Sequence, residues 1–496
     1  MCRKTKTFCF VFTCLSVLYT TSNASPSAKN VLFITVDDMN WDSVGKVIPD
    51  TSSLTPNIDK LASEGIQFQH AHVTVPVCQP SRAVWLTGLY PQHNGAVAFN
   101  DIYSWVPTLP ELLQASGFRV GVLGKTDHTI PSRKNIWDYR IASDLLESRD
   151  PELYYEYTKN FIGEAVANNQ RFFLQVNIRD PHPPFAGSLA EKRMRQVRDK
   201  KRDSGWYEAF KDYVNSALSI SSSSTAIDID PNEIVVPGFL PNLPDISKEL
   251  SFYYSSVHRG DTSVGRVMDA LSEYGLDRET VVIFSSDNGM AFPFSKTNLY
   301  MHSTRTPLII RNKDLVDPGA VDEDHVVAGI DIAPTILDVM GVKEGPAFDG
   351  ISILPLIRGQ PQPNREFAFT QFTRTSAEID YPMRSVIGKR YGYIFNAWSD
   401  AQKEFKNQVQ AGLTMKAMRK AAAIDPEINQ RVLFFLYRVK EEFYDYQKDP
   451  DATKNLISDG EYTEIIEEYR KLLLEQMRQT EDPLFSTYES FHADRH

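Results

Sequence analysis

Residues 31–36 read V-L-F-I-T-V and run directly into Asp37-Asp38. An apolar, β-branched run with no polar alternation has no side fit for water, so it belongs inside a sheet covered on both faces. Similar runs recur at 119–123, 172–178, 280–285 and 307–310, with helical patterns at 109–116, 152–167, 248–274 and 332–340. This alternation predicts an α/β fold, a mixed sheet flanked by helices. Thr55-Pro56 reads as the N-cap and first turn of a further helix through Leu61.

The chain of 496 residues is 42% hydrophobic, enough for one large domain and a smaller one. Arg3, Lys4 and Lys6 precede an apolar run at 8–19 and the small residues Ser22 and Ala24, which predicts a signal peptide over 1–24. That run is too short to span a bilayer, so a secreted or periplasmic protein without an integral membrane segment is expected. A large unit is expected over 25–362 and a smaller C-terminal α+β unit over 363–496, separated near the Pro/Gln-rich stretch 358–365. A polar insertion at 185–234 holds a basic run, 192–202, and four serines at 221–224. The basic run fits a solvated helix face, or a patch that attracts a polyanion.

Cys2, Cys9 and Cys14 fall in the leader, so the exported chain keeps Cys78 alone and forms no internal disulfide. Losing three cations and no acids with the leader takes the formal charge from −11 to −14, which argues against a nucleic-acid partner.

Polar residues interrupt the strand pattern at two informative places. Asp37 and Asp38 follow the first strand, and Asp287-Asn288-Gly289 follow V-V-I-F-S-S. Ligand sites in open α/β sheets lie beyond the carboxyl ends of strands, and carboxylates with an amide oxygen suit Ca²⁺ or Mg²⁺. Each group alone would also serve as turn chemistry.

Cys78 opens C-Q-P-S-R, followed by L-T-G at 86–88. This pentapeptide resembles the signature of type I, formylglycine-dependent sulfatases. The likeness runs from N-V-L-F-I-T-V-D-D at Asn30 to F-Y-D-Y-Q-K-D-P near Phe443. It is most like the heparan N-sulfatase (sulfamidase) branch in R-D-P-H at 179–182, S-D-N-G-M-A-F-P-F-S-K-T-N-L-Y at 286–300 and Y-P-M-R-S-V at 381–386.

The resemblance implies an alkaline-phosphatase-like fold, one Ca²⁺ ion, and oxidation of Cys78 to formylglycine by a formylglycine-generating enzyme. A hydrated aldehyde carries two hydroxyls on one carbon: one attacks sulfur, and deprotonation of the other expels sulfate. By the same resemblance Asp37, Asp38, Asp287, Asn288 and modified Cys78 hold the metal, and Arg82 steadies the nucleophile. Lys125 bridges nucleophile and sulfate, His128 drives elimination, His182 protonates the leaving oxygen, and Lys296 is the second sulfate-binding cation. The chain departs from the sulfamidase pattern in the two residues between Lys125 and His128 and in lysine at 296. Asp180 is a candidate sugar contact, His302 a candidate pocket wall, and Arg384 a reach into the cleft or an interdomain ion pair. Asp127 orients His128, contacts substrate or makes a turn.

These readings converge on a calcium-dependent sulfatase acting on sulfate esters of a polysaccharide or its oligosaccharides, as in a bacterial polysaccharide sulfatase, with an algal polymer such as ulvan favoured. The alternatives are an N-sulfoglucosamine sulfohydrolase acting on heparan-type chains, a phosphodiester or phosphonate hydrolase on the same fold, and a non-catalytic carbohydrate-binding relative.

Overall fold

The computed structural model describes residues 30–49, 52–146, 149–202, 226–343 and 345–493, without the side chains of 197–202. The expected signal peptide and the serine run at 221–224 lie outside the described residues.

The first strand, β1 (Asn30–Val36), is wholly buried. Its side chains alternate between two separate cores: Leu32, Ile34 and Val36 join one, and Val31 and Phe33 the other. A two-sided burial of this kind is what the unbroken apolar run requires. The remaining strands of its sheet are β2 (Ile66–His72), β3 (Arg119–Leu123), β4 (Tyr139–Ile141), β5 (Phe172–Asn177), β6 (Thr280–Ser286), β7 (Leu308–Arg311) and β8 (Ala320–Ala328). Their order is β4-β3-β5-β1-β6-β7-β2-β8, and only β7 runs antiparallel to its neighbours. The expected mixed α/β sheet is thus present.

A second, antiparallel sheet is built from β9 (Phe367–Arg374), β10 (Asp380–Gly388), β11 (Tyr391–Asn396) and β12 (Glu441–Asp445), in the order β12-β11-β10-β9. The helices Thr463–Gln479 and Phe485–Ala493 cover one face through Tyr393, Phe395, Phe443, Tyr469 and Tyr488. The stretch expected to link the units is pinned: Arg365 Nη1 donates to Asp331 Oδ2 at 2.6 Å and its carbonyl accepts from Val326 N.

The helix Pro56–Ser63 begins where expected, with Thr55 as N-cap and Pro56 at its first position. Its free N–H groups are satisfied from another element. Asp261, on the long helix Pro244–Glu273, accepts from Asn57 N at 3.1 Å and Ile58 N at 2.8 Å. The Thr55 hydroxyl instead donates to Asp59. The basic run forms part of a helix, Leu189–Arg202.

Candidate active site

β1 and β6 are parallel neighbours with Val36 opposite Ser286, so the two acid-bearing turns leave the sheet side by side. Asp37 and Asp38 emerge from one strand and Asp287 and Asn288 from the other, all fully buried. Gly289 is needed for this turn. A Cβ there would lie 1.8 Å from the His302 carbonyl oxygen, backbone that cannot yield.

The third component is the wholly buried helix Cys78–Thr87. Cys78 sits in its first turn, and Arg82, four residues on, lies on the same face. The Arg82 guanidinium is 0% exposed. It donates to Asp287 Oδ2 at 2.8 Å, Asp37 Oδ1 at 3.2 Å, Asn177 Oδ1 at 2.5 Å and Thr35 Oγ1 at 3.1 Å. Such a planar fork suits a group that must hold two carboxylates at once.

Ligand atoms of Asp37, Asp38, Cys78 and Asp287 all lie within 4.8 Å of one another, and His182 forms a second such group with Asp37 and Cys78. Lys296, also buried, places Nζ 3.2 Å from Cys78 Sγ and 2.5 Å from Asp38 Oδ1. Lys125 pairs with Asp37 Oδ2. His128 packs its ring edge-on against Phe99 at 5.5 Å, one turn of chain after Lys125. His182 has Nδ1 2.5 Å from the Pro183 carbonyl and Nε2 3.9 Å from Asp38 Oδ2. Every residue nominated from the sequence for catalysis or metal binding therefore converges on one place.

Packing so much charge out of water perturbs it strongly. Burial raises the Asp287 carboxyl well above its usual range, and neighbouring Asp37 adds to this. Burial acts on Asp37 in the same sense, yet the Lys125 ammonium, with the hydrogen bond to Asp287 and the Arg82 guanidinium, holds it well below. Burial pushes the Cys78 thiol far up and keeps it protonated. His128 is pushed down to about 3, first by burial and then by Lys125. His182 is also held well below its ordinary value, by burial and then by Lys125 and Lys296.

Two buried acceptors here, Asp38 Oδ2 and Asn288 Oδ1, have no hydrogen-bond partner among the described residues. Buried oxygens left unpaired are costly, and a hard divalent cation would satisfy both. The donor set fits calcium or magnesium on that ground.

Three of the sequence expectations meet a different structure. Asp180 is unavailable to a sugar, because Arg149 and Arg259 each bind it at 2.6 Å in the interior. His302 is held between Asn40 and Asp451, both at 2.9 Å, and packs on Phe239. Arg384 pairs with Asp482 at 2.5 Å, so it neither reaches the cleft nor bridges the two sheets. Asp127 is exposed.

Positioning residues also escaped the sequence. Asn177 accepts from Arg82 and Thr35 and donates to the carbonyls of Leu123 and Gly124. A signal was there: Gln175 and Asn177 are polar at alternate positions of an otherwise apolar run. Arg149 holds the His182 carbonyl at 2.7 Å. Arg438, 140 residues away in sequence, binds Asn298 Oδ1, and Asn298 Nδ2 in turn donates to the Lys296 carbonyl at 3.1 Å.

Comparison with known proteins agrees with this geometry. The family model described as Sulfatase matches residues 29–342, and one described as N-sulphoglucosamine sulphohydrolase, C-terminal, matches 290–411. Human N-sulphoglucosamine sulphohydrolase is 27% identical over 96% of this chain and 95% of its own length. An ulvan-active sulfatase of Formosa agariphila is 26% identical over 90% of this chain and 74% of its own. Among solved structures, a protein bound to its substrate D-glucosamine-2-N,6-O-disulfate has TM-score 0.65 at 20% identity, covering 92% of this chain and 98% of that one. The phosphonate monoester hydrolase of Agrobacterium radiobacter has TM-score 0.61 at 18% identity, covering 91% and 96%; both likenesses concern the fold. Because the first family match takes in more than half of the chain and spans β1, Cys78 and β6 together, the chain belongs to the sulfatase family of sulfate ester hydrolases.

Proposed function

We propose that this protein is an exported, calcium-dependent sulfatase that removes sulfate esters from a sulfated polysaccharide or its oligosaccharides. The observation that carries the reading is the position of Lys296 Nζ, within 3.2 Å of Cys78 Sγ and 2.5 Å of Asp38 Oδ1. A buried cation between nucleophile position and carboxylate cluster is suited to an anionic reacting group.

As a thiol, Cys78 is protonated and enclosed, which makes it a weak nucleophile. Converted to formylglycine by a maturation enzyme, it would supply a geminal diol, with one hydroxyl to attack sulfur and one to release it. A calcium ion held by Asp37, Asp38, Asp287, Asn288 and residue 78 would polarise the sulfate and lower the pKa of that diol. The chain's own residues do the rest. Lys125 and Lys296 bind the sulfate oxygens, and Arg82 keeps two of the carboxylates in place. His128, neutral in this setting, takes the proton from the hydroxyl that expels sulfate. His182 is held neutral by burial and then by two lysines that repel its proton; an arriving sulfate offsets the lysines' part and favours protonation of the leaving oxygen from this side.

The likeness to an ulvan-active sulfatase, over 90% of this chain and 74% of that protein, with the spacing of Lys125 and His128, favours an O-sulfate on an algal polymer such as ulvan. The C-terminal family match over 290–411 favours the second reading, hydrolysis of N-sulfoglucosamine in heparan-type chains. The leader-like sequence at 1–24 supports secretion or a periplasmic location. The test is peptide mass spectrometry of natively produced protein at Cys78, then assays on matched O-sulfated and N-sulfated sugars and on a phosphonate ester. Formylglycine with turnover of O-sulfate is expected. An unmodified thiol, or faster turnover of the phosphonate, would overturn the proposal.

A further inference from the structure

Tyr103 and Trp105 are large aromatic side chains with little packing role, 42% and 73% exposed. Their rings are stacked at 4.6 Å between centroids with planes 6° apart. Tyr103 lies over Gly95, where an added Cβ would come within 3.0 Å of the tyrosine ring. Trp105 thus has one face on Tyr103, and its high exposure leaves the other open to solvent.

The loop that presents the pair is pinned from both sides of the active site. Gln79, next to Cys78, donates to the Asn100 carbonyl at 2.9 Å, and Phe99 packs on His128. Roughly 14 Å of extended chain at most separates Phe99 from Tyr103. The segment that carries Lys125 and His128 continues to Arg133, which donates to the carbonyls of Tyr103, Ser104 and Val106, each at 2.8 Å. Three loop carbonyls held by the two terminal nitrogens of one planar fork fix this loop before any ligand arrives.

A flat, solvent-facing indole on a pinned backbone, stacked on one face, loses little freedom when it binds and offers a surface matched to the apolar C–H face of a sugar ring. We propose that Tyr103 and Trp105 form a stacking subsite for a sugar unit of the substrate beyond the one that carries the scissile sulfate. The inference rests on the carbohydrate substrate proposed above. It is continuity with the site, through Phe99, Gln79 and Arg133, that favours a sugar over a protein partner.

The test compares Trp105→Ala, Trp105→Phe and wild type on a size series of ulvan and heparin oligosaccharides and on 4-nitrophenyl sulfate. The ratio of oligosaccharide to aryl-sulfate kcat/KM is expected to fall about tenfold in Trp105→Ala, the loss of one aromatic anchor, through KM, with Trp105→Phe recovering most of it. An unchanged ratio would overturn the subsite, as would equal loss on both substrate types. A change in oligomeric state on gel filtration without a change in the ratio would overturn it in favour of a protein contact. If no sulfated sugar is turned over, binding of the same oligosaccharides is followed by isothermal titration calorimetry. Weaker binding by Trp105→Ala then supports the subsite although the sulfatase reading has failed, and equal binding overturns both.

Discussion

Two parts of this molecule bury charge, and they do so differently. Around the C-terminal sheet two buried arginines meet a carboxylate squarely, while Arg438 lies 3.9 Å from Glu442 and bonds to Asn298 and Tyr300 instead. Arg470 binds Glu441 at 2.7 and 3.0 Å, Arg384 binds Asp482 at 2.5 and 3.0 Å, and Glu442 accepts from Tyr300, Tyr444 and Asn396. At the carboxyl edge of the large sheet, Arg82, Lys125 and Lys296 face Asp37, Asp38 and Asp287, yet within that charge cluster Asp38 Oδ2 and Asn288 Oδ1 have no hydrogen-bond partner among the described residues. Among those residues the C-terminal sheet also leaves neutral acceptors such as Asn396 Oδ1 unpaired. Closed pairs fix one conformation; spare acceptors in a dry pocket are capacity for a ligand. The contrast separates charge that builds the fold from charge that does chemistry.

The largest effect should come from the open site. Cys78→Ala removes the atom on which the proposed modification depends, and kcat should fall about 10⁴-fold or more. Circular dichroism and thermal unfolding should remain close to wild type, since one small buried side chain replaces another. Retention of more than a few per cent of activity would show that residue 78 is not the nucleophile.

Breaking a closed pair should do the reverse. Arg470→Met strands Glu441 in the interior, at a cost of about 3–5 kcal/mol in stability by urea unfolding. Turnover per folded molecule should be unchanged, because this pair lies in the other sheet. The double variant Arg470→Met, Glu441→Leu should recover much of the loss, as two matched apolar side chains replace a matched ion pair. If the single variant alters kcat instead, the proposed division of labour is wrong.

The spare acceptors give a third, smaller effect. Calcium at a hundredfold excess over its Kd should stabilise the protein by about 2.7 kcal/mol, and a chelator should reverse this. Asp38→Asn should abolish the response, read by differential scanning fluorimetry without any substrate. A calcium response of equal size in the variant would move the ion elsewhere.

How legible these regions were follows from how local their causes are. β1 and β6 announce themselves because burial on both faces leaves an unbroken apolar run, and the site residues lie at their ends. β2 was not anticipated: I-Q-F-Q-H-A-H mixes polar and apolar residues, with a half-buried pattern near the sheet edge. The proposed nucleophile, cations and histidines were readable as motifs. Their supports were not, since the Arg438–Asn298 bond spans 140 residues and Arg82–Asn177 spans 95. Hydrogen bonds across such distances impose no spacing on the chain. Asp180 misled for a related reason: a polar residue beside a candidate catalytic histidine looks available until Arg149 and Arg259 are seen to enclose it.

Asp261 is an intermediate case and sharpens the comparison at its weakest end. It is buried like the active-site acids and fully hydrogen-bonded, accepting from Asn57 and Ile58, but no arginine or lysine among the described residues bonds to it. Burial raises its carboxyl to about 6, against the opposing pull of those hydrogen bonds and of His258. A folded-state value above the unfolded 3.8 means that the native state holds the proton more tightly. Its stabilising contribution is complete below pH 3.8 and fades as pH rises through about 6. Between pH 5 and 7 that loss amounts to about 1 kcal/mol. Asp261→Asn keeps the oxygen that caps the helix Pro56–Ser63 and cannot ionise, so its stability curve should be flatter than wild type across that interval. Unfolding free energies at pH 5, 6 and 7 for both proteins decide the matter. A variant curve parallel to wild type would mean that Asp261 ionises freely, and that hydrogen bonds alone can hold a buried carboxylate in this fold.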